Sequence, residues 1–192
     1  MHILERLQAV LVSPLTVWSS VRKEEGLGNA TIYVLAVAVV GAIIRWAVAM
    51  VYSPPSMPGS SMMGWSGGAS PTGFITSVVF AIVWMFIAAG VLHLIARLLG
   101  AKKGFEETFK AAAYGSTPTL LLSGLPWVGL LLAIWAIALE ALGMEQLQSM
   151  SRGRAVAAVI LSVLVLAVVI GFIVAGVLAM IFGVVGRGMM GS

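Results

Sequence analysis

The stretch "VAAVILSVLVLAVVIGFIVAGVLAMIFGVV", residues 156–185, carries no charged side chain over its whole length. The hydrocarbon core of a bilayer is about 30 Å thick and is crossed by about 20 helical residues. At 1.5 Å per residue this run forms a helix of about 45 Å, so it must tilt or protrude. An apolar run of this length predicts a transmembrane helix and places the chain among integral membrane proteins.

The composition of the whole chain agrees with that assignment. Its 192 residues are 60% hydrophobic and only 9% charged, with a mean hydropathy of +1.08, whereas soluble domains are about 25% charged. Cysteine is absent, which excludes disulfides, thiolate catalysis and cysteine metal sites. We therefore predict one compact all-α domain, a polytopic helical bundle within the membrane.

Four further runs complete the predicted set of spans. The segment 107–123 has about 17 residues, the lower limit for a crossing, and "SGLP" at 123–126 then forms a tight turn into the next run. These two runs make an antiparallel helical hairpin. The five predicted spans are 30–52, 73–99, 107–123, 127–144 and 156–185.

The basic residues test this count, because lysine and arginine accumulate in cytoplasmic loops. They lie in short clusters in every second connection between spans, so that they share one side of the membrane. Loop 53–72 on the other side carries no charge, and only Arg187 falls on that far side. This pattern reflects membrane topology and does not indicate nucleic-acid binding. It predicts a cytoplasmic N-terminus and an outside tail at 186–192. A four-span arrangement with 107–145 as a surface hairpin is the alternative, and it would put both termini inside.

Residues 1–29 are predicted to form a cytoplasmic amphipathic segment. Glu5, Arg6 and Gln8 lie on one side, and the other side is apolar with helical spacing. Such a segment can lie among lipid headgroups, which makes membrane lipids the first predicted partner, or it can pack on the cytoplasmic end of the protein itself. The residues of the apolar side are Leu4, Leu7, Leu11, Leu15 and Trp18.

Three ionisable residues within the predicted spans require an explanation, because a charge at mid-bilayer costs a few kcal/mol. For Arg45 and Glu140 we predict an ion pair that tethers two spans. Alternatively, Arg45 extends to the outer interface and Glu140 bonds to hydroxyls of the third span. His93 is a candidate proton relay or ligand. A histidine without a second ligand at metal-binding spacing is more often a hydrogen-bonded packing residue.

A polar cluster in the third span predicts a helix kink. Pro118 has no N–H and presses on the carbonyl of Tyr114, so the helix bends and that carbonyl loses its helical partner. In hydrocarbon an unpaired carbonyl costs several kcal/mol. We predict that the hydroxyls of Ser116, Thr117 and Thr119 compensate for the lost hydrogen bond.

The same residues give weak support to catalysis. Ser116 with His93 as its base would need an oxyanion hole and an orienting acid, and neither is evident in the sequence. Met57, Met62 and Met63 could bind Cu(I) as thioethers, but no histidine or cysteine stands beside them. The sequence predicts no catalytic residue, no metal site and no cofactor.

The last span carries small residues at four-residue spacing along one face, which lets another helix approach closely in lipid. The partner is either an internal helix or a second copy of the chain, so a homo-oligomer or another membrane protein is a candidate partner. The residues of this small-residue face are Ala167, Gly171, Ala175, Ala179 and Gly183.

The order of these features resembles the Yip family of five-span membrane proteins. It comprises "SPLTVW" at 13–18, "GFEETFKAAAYGSTPTLLLSGLPWVG" at 104–129, "LEALGM" at 139–144 and "SRGRAVAAV" at 151–159. In that family a glycine and a phenylalanine precede an alanine-rich helix with a tyrosine and a proline. The matching positions here are Gly104, Phe105, Ala111, Ala112, Ala113, Tyr114 and Pro118.

Eukaryotic members of the Yip family act in vesicle traffic between endoplasmic reticulum and Golgi and bind Rab GTPases through a cytosolic N-terminal region. With about 29 residues before its first span, this chain resembles the minimal prokaryotic members, and the resemblance transfers neither the trafficking role nor any catalytic residue. We predict a non-enzymatic scaffold of the prokaryotic cell membrane. The alternative is a small transporter or channel that uses Arg45, Glu140 and His93.

Overall fold

A computed structural model of the chain describes residues 3–51, 71–122, 124–125 and 128–190. Most of the uncharged loop, with Met57, Met62 and Met63, lies outside the described residues. The described residues form helices joined by short turns. The eight helices are α1 (Ile3–Val12), α2 (Pro14–Val21), α3 (Gly28–Val51), α4 (Pro71–Leu98), α5 (Phe105–Gly115), α6 (Thr117–Leu122), α7 (Gly129–Leu147) and α8 (Arg152–Met190).

Four of these helices are long and apolar enough to cross a membrane: α3, α4, α7 and the Arg152–Met180 part of α8. The fold is therefore all-α with several membrane-spanning helices, as the composition predicts. The predicted third span is divided into α5 and α6, of 11 and 6 residues, because the helix is interrupted at Ser116. Neither piece alone is long enough to cross a bilayer.

The two pieces nevertheless run side by side with α3 over much of its length. Gly41 packs directly against the carbonyl of Leu120. Farther along, a Cβ placed on Gly124 would lie 2.9 Å from the Cα of Arg45. These two close approaches require glycine, because any side chain would meet backbone atoms of the neighbouring segment.

Helix α5 occupies the middle of the bundle. It contacts α3, α4 and α7, and every residue from Thr108 to Gly115 is buried. Alanines at 111–113 allow this close packing, since a small side chain lets neighbouring helices approach. Residues 108–115 are thus enclosed by other helices and do not lie on the surface.

The end of the bundle formed by residues 22–27, 97–106 and 145–154 is called the basic end below. Here α4 ends in a Schellman motif: Gly100 has φ +94°, and the N–H of Ala101 donates to the carbonyl of Ala96 at 2.8 Å. The guanidinium of Arg154 lies 3.3 Å from the position that a Gly100 Cβ would occupy. The C-terminus of α4 and the N-terminus of α8 therefore meet at this end.

The N-terminal helices pack on the bundle through a buried apolar face. Val10, Val17, Trp18 and Val21 are buried, and α1 contacts α6 while α2 contacts α7. A Cβ on Gly143 would lie 2.7 Å from the indole ring of Trp18. At these four positions the side chains are covered by the protein's own helices.

Candidate functional site

The Tyr114 cluster is a group of polar residues where α1, the segment after α2 and α5 meet; it consists of Arg6, Glu24, Glu106, Lys110 and Tyr114. The Arg6 guanidinium forms an ion pair with Glu24 at 2.5 Å and donates to the Tyr114 hydroxyl at 2.7 Å. The Tyr114 hydroxyl donates in turn to Glu24 at 2.9 Å. Each of these three groups contacts the other two, so α1 and the segment after α2 are both joined to α5.

Lys110 adds a second connection within this cluster. Its side chain is fully buried, and its ammonium donates to the backbone carbonyl of Glu24 at 2.5 Å and to Glu106 at 2.6 Å. Glu107 lies farther away, at 3.7 Å. The Lys110 hydrogen bond lowers the pKa of Glu106, which precedes the predicted third span. A buried ammonium requires such partners, because desolvation otherwise favours its neutral form.

Aromatic packing surrounds the Tyr114 ring. The ring of Tyr33 lies 4.5 Å away, centroid to centroid, and that of Trp18 stands edge-on at 6.5 Å. Aromatic pairs at these separations contribute about 0.5–1.5 kcal/mol beyond the area they bury. Tyr114 therefore links α2, α3 and α5 by packing while its hydroxyl holds the ionic groups.

The break between α5 and α6 has its own set of hydrogen bonds. Thr117 donates to the Tyr114 carbonyl at 2.6 Å, the carbonyl that Pro118 leaves without a helical donor. Because the Thr117 proton is used there, Tyr33 is the donor in the 2.9 Å contact between their hydroxyls. Thr119 donates to the carbonyl of Ser116 at 2.8 Å. Hydroxyls thus supply partners to the backbone where the helix is interrupted.

A second polar group, the Gln148 cluster, joins α4, α5 and α7 at the basic end. The Gln148 amide donates to Thr108 and to the carbonyl of Gly104, both at 2.9 Å, and accepts the N–H of Lys103 at 2.9 Å. His93 Nδ1 lies 2.8 Å from the Thr108 hydroxyl. This hydrogen bond gives His93 a packing partner in a network that closes the turn between α4 and α5.

Arg45 and Glu140 lie against different glycines. Glu140 packs on Gly115, where a Cβ would lie 2.8 Å from the Glu140 backbone nitrogen, and Arg45 packs on Gly124. Gly115 and Gly124 are at opposite ends of α6. None of the ion pairs among the described residues joins Arg45 to Glu140. His93 belongs to the Gln148 cluster, so the structure does not bring the three ionisable residues to one place.

Ser116 and His93 are also engaged separately. The Ser116 hydroxyl lies 4.0 Å from the sulfur of Met85 and 3.4 Å from the carbonyl of Ala113. His93 is directed to Thr108. In the part of the chain that the structure describes, no group of three or more histidine, aspartate or glutamate side chains is arranged to hold a metal ion.

The small-residue face of α8 points away from the bundle. Ala167, Gly171, Ala175 and Ala179 are exposed, and a Cβ on Gly171 would have no atom within 4 Å. Gly183 lies beyond the residues whose side-chain surroundings are described. Within those residues, this face packs against no helix of the same chain.

Several residues of both clusters were not singled out by sequence reasoning. Lys110 and Glu106 stand four residues apart on α5, a spacing that favours an ion pair and could have indicated it. Glu24 and Gln148 give no comparable signal, because their partners are distant along the chain. Only the packing of α1, α2 and α7 around α5 brings them into position.

Comparison with known families adds an independent observation. The sequence model of the Yip1 domain matches residues 9–175, a range that begins in α1 and ends within α8. No curated protein and no solved structure matches the chain. The matched range contains every described residue of both polar clusters except Arg6.

Proposed function

The chain belongs to the Yip1 family, and we propose that it is a non-enzymatic scaffold that organises the membrane or binds membrane partners. The observation that carries this proposal is the Tyr114 cluster. There Arg6, Glu24 and Tyr114 satisfy one another and join the N-terminal helices to the central helix. A polar group arranged in this way fixes the relative positions of helices, which is what a rigid binding platform requires.

The topology that we propose has five crossings, the third formed by α5 from residue 107 onward together with α6. Its support is the pairing of α5 and α6 with α3 from the basic end to the level of Arg45. In this arrangement residues 1–29 and the basic end lie in the cytoplasm, and 186–192 lie outside a prokaryotic cell membrane. The clustering of lysine and arginine at one end supports that orientation.

A non-enzymatic role is favoured by how the candidate reactive residues are used. Proteins of the Yip1 family are in general non-catalytic membrane proteins. Ser116 contacts Met85 and a backbone carbonyl, and His93 bonds to Thr108. In these positions both side chains support helix packing.

Partners within the membrane are proposed to contact α8. From Val163 to Met180 no residue of α8 is buried, so this length of helix is available to lipid, to a second copy or to another membrane protein. A small-residue face permits the closest approach of a second helix. Lipid contacts the remaining faces in this proposal.

The function is tested by reconstituting the full chain in proteoliposomes and measuring proton and potassium flux with internal dyes. A scaffold is expected to give the same flux as protein-free vesicles, and Arg45→Ala and Glu140→Gln are expected to change nothing. Flux well above protein-free vesicles that both substitutions abolish would overturn the proposal in favour of a transporter. The thermal unfolding of each variant shows that it is folded.

A positive test uses a photo-crosslinking amino acid at position 171, on the exposed face, and at position 113, in the buried face of α5. We expect position 171 to give a discrete crosslinked product in the membrane and position 113 to give only internal products. Equal crosslinking to lipid alone at both positions would contradict partner binding through α8.

A further inference from the structure

Four cationic side chains surround the turn that joins α4 to α5: Arg97, Lys102, Lys103 and Arg154. Arg97 is in the last turn of α4, three residues before Gly100, and the two lysines stand two and three residues after that glycine. Arg154 reaches this turn from α8, with its guanidinium 3.3 Å from the position of a Gly100 Cβ. Cations from two helices therefore meet at one corner of the basic end.

Four of the acidic residues at or next to the basic end are already paired with other cations, and a fifth, Glu25, is exposed. Within the described residues, Glu24 pairs with Arg6, Glu106 and Glu107 with Lys110, and Glu145 with Arg152. No ion pair or side-chain hydrogen bond of the described residues involves the side chain of Arg97 or Arg154. The four cations of this corner therefore attract an anion.

An exposed apolar surface adjoins the same corner. On α4, Leu94 and Leu98 are 67% and 86% exposed, and on α8, Ile160 is 44% exposed. Leu94 and Ile160 lie toward the membrane from Arg97 and Arg154, Leu98 is the last residue of α4, and α4 and α8 are in contact. The surface thus combines a cationic head region with an apolar region that continues along two helices.

We propose that this corner binds the phosphate headgroup of an anionic phospholipid, with Arg97 and Arg154 on the phosphate and the acyl chains along Leu94 and Ile160. Guanidinium groups bind phosphate oxygens in a bidentate manner. A free phosphate would use the same cations but would leave the apolar surface unused. Lipid is therefore the ligand that matches both parts. The inference goes beyond the scaffold role, which needs no particular lipid.

The experiment titrates the purified full chain with phosphatidylglycerol and with phosphatidylcholine and counts bound lipids by native mass spectrometry. We expect tighter binding of phosphatidylglycerol. A basic residue near an anionic lipid contributes an amount equivalent to about a fivefold change in affinity. Arg154→Gln should therefore weaken phosphatidylglycerol binding about fivefold, and the double variant Arg97→Gln, Arg154→Gln should weaken it further.

Lys23→Gln is the matched control, because Lys23 is an exposed cation at the same end but lies outside the corner. It is expected to leave lipid binding unchanged. An equal loss in Lys23→Gln and Arg154→Gln would overturn the proposal, since it would show only a general surface potential.

Two further measurements separate lipid from a free anion. Inorganic phosphate at millimolar concentration should fail to displace phosphatidylglycerol, and Leu94→Gln should weaken its binding. Displacement by phosphate together with normal binding by Leu94→Gln would assign the corner to a free anion and contradict the proposal. Arg154, Arg97 and Leu94 are exposed, so the variants should retain the unfolding temperature of the wild type.

Discussion

Helices α5 and α8 show two different ways for a helix to exist in a membrane protein. Every residue of α5 from Thr108 to Gly115 is buried, and the polar clusters lie on it. No residue of α8 from Val163 to Met180 is buried, although this segment is far more apolar. In water the more apolar helix would be the buried one. In lipid, packing and polar contacts assemble helices, and an apolar face can remain exposed.

The largest expected difference in stability between the two helices comes from truncating one aromatic residue on each. Tyr114→Ala should lower the free energy of unfolding in detergent by about 3–5 kcal/mol, because it leaves a cavity and removes the hydroxyl that bonds to both Arg6 and Glu24. Phe172→Ala on α8, where the side chain is 76% exposed, should change it by less than about 0.5 kcal/mol. Equal losses would remove the contrast between the two helices.

A smaller difference in stability is expected from adding a single methyl group to each helix. Gly115→Ala places a Cβ 2.8 Å from the backbone of Glu140, whereas at Gly171 there is no atom within 4 Å. Gly115→Ala should therefore destabilise the protein by about 1–3 kcal/mol. Gly171→Ala should be neutral or slightly stabilising, since alanine favours helix. Unfolding temperatures in one detergent compare the two, and a tolerated Gly115→Ala would contradict the close packing.

Two glutamates at the basic end sharpen the comparison between buried and exposed ion pairs. Glu24 has a side chain 8% exposed and holds both Arg6 and Tyr114, while Glu145 pairs with an Arg152 side chain that is 75% exposed. Glu24→Gln should cost about 1.5 kcal/mol of unfolding free energy, and Glu145→Gln less than about 0.5 kcal/mol. If the two variants unfold alike, the Tyr114 cluster contributes no more than a surface pair.

The smallest effect concerns pH. The Lys110 hydrogen bond lowers the pKa of Glu106 in the folded protein below its ordinary value of 4.5, so the ionised carboxylate favours the folded state. This contribution is present above pH 4.5 and is lost as pH falls through the lowered pKa. Because the Glu106 side chain is 39% exposed, the effect is small. Glu106→Gln should slightly flatten the fall in unfolding temperature below pH 4.5, and an unchanged acid profile would argue against this pair.

Sequence reasoning predicted the helical class and the apolar runs because each depends on composition along one segment. Residues 30–52 and 73–99 correspond closely to α3 and α4. The predicted span 107–123 is instead divided between two helices, α5 and α6. That these two helices together cross the membrane, which would bring the number of crossings to five, stays a prediction. Proline and hydroxyls at 116–119 indicated a kink, but no local pattern specifies whether a helix bends or stops.

The candidate site was harder to predict, for a physical reason. Arg6, Glu24 and Tyr114 are separated by up to 108 residues along the chain, and their contact depends on how α1 and α2 pack. The sequence instead drew attention to Arg45 and Glu140, whose charges are costly in lipid wherever they lie. The free-energy cost of a charge in lipid shows that a residue needs a partner. It does not show which partner the fold supplies.

The most direct test of the account is a double-mutant cycle between Tyr114→Phe and Glu24→Gln, with the free energy of unfolding measured in one detergent. If the Tyr114 cluster joins the N-terminal helices to α5, the two substitutions should be coupled by about 1 kcal/mol. Additive effects of the two substitutions would contradict the account, because they would show that Tyr114 and Glu24 contribute independently.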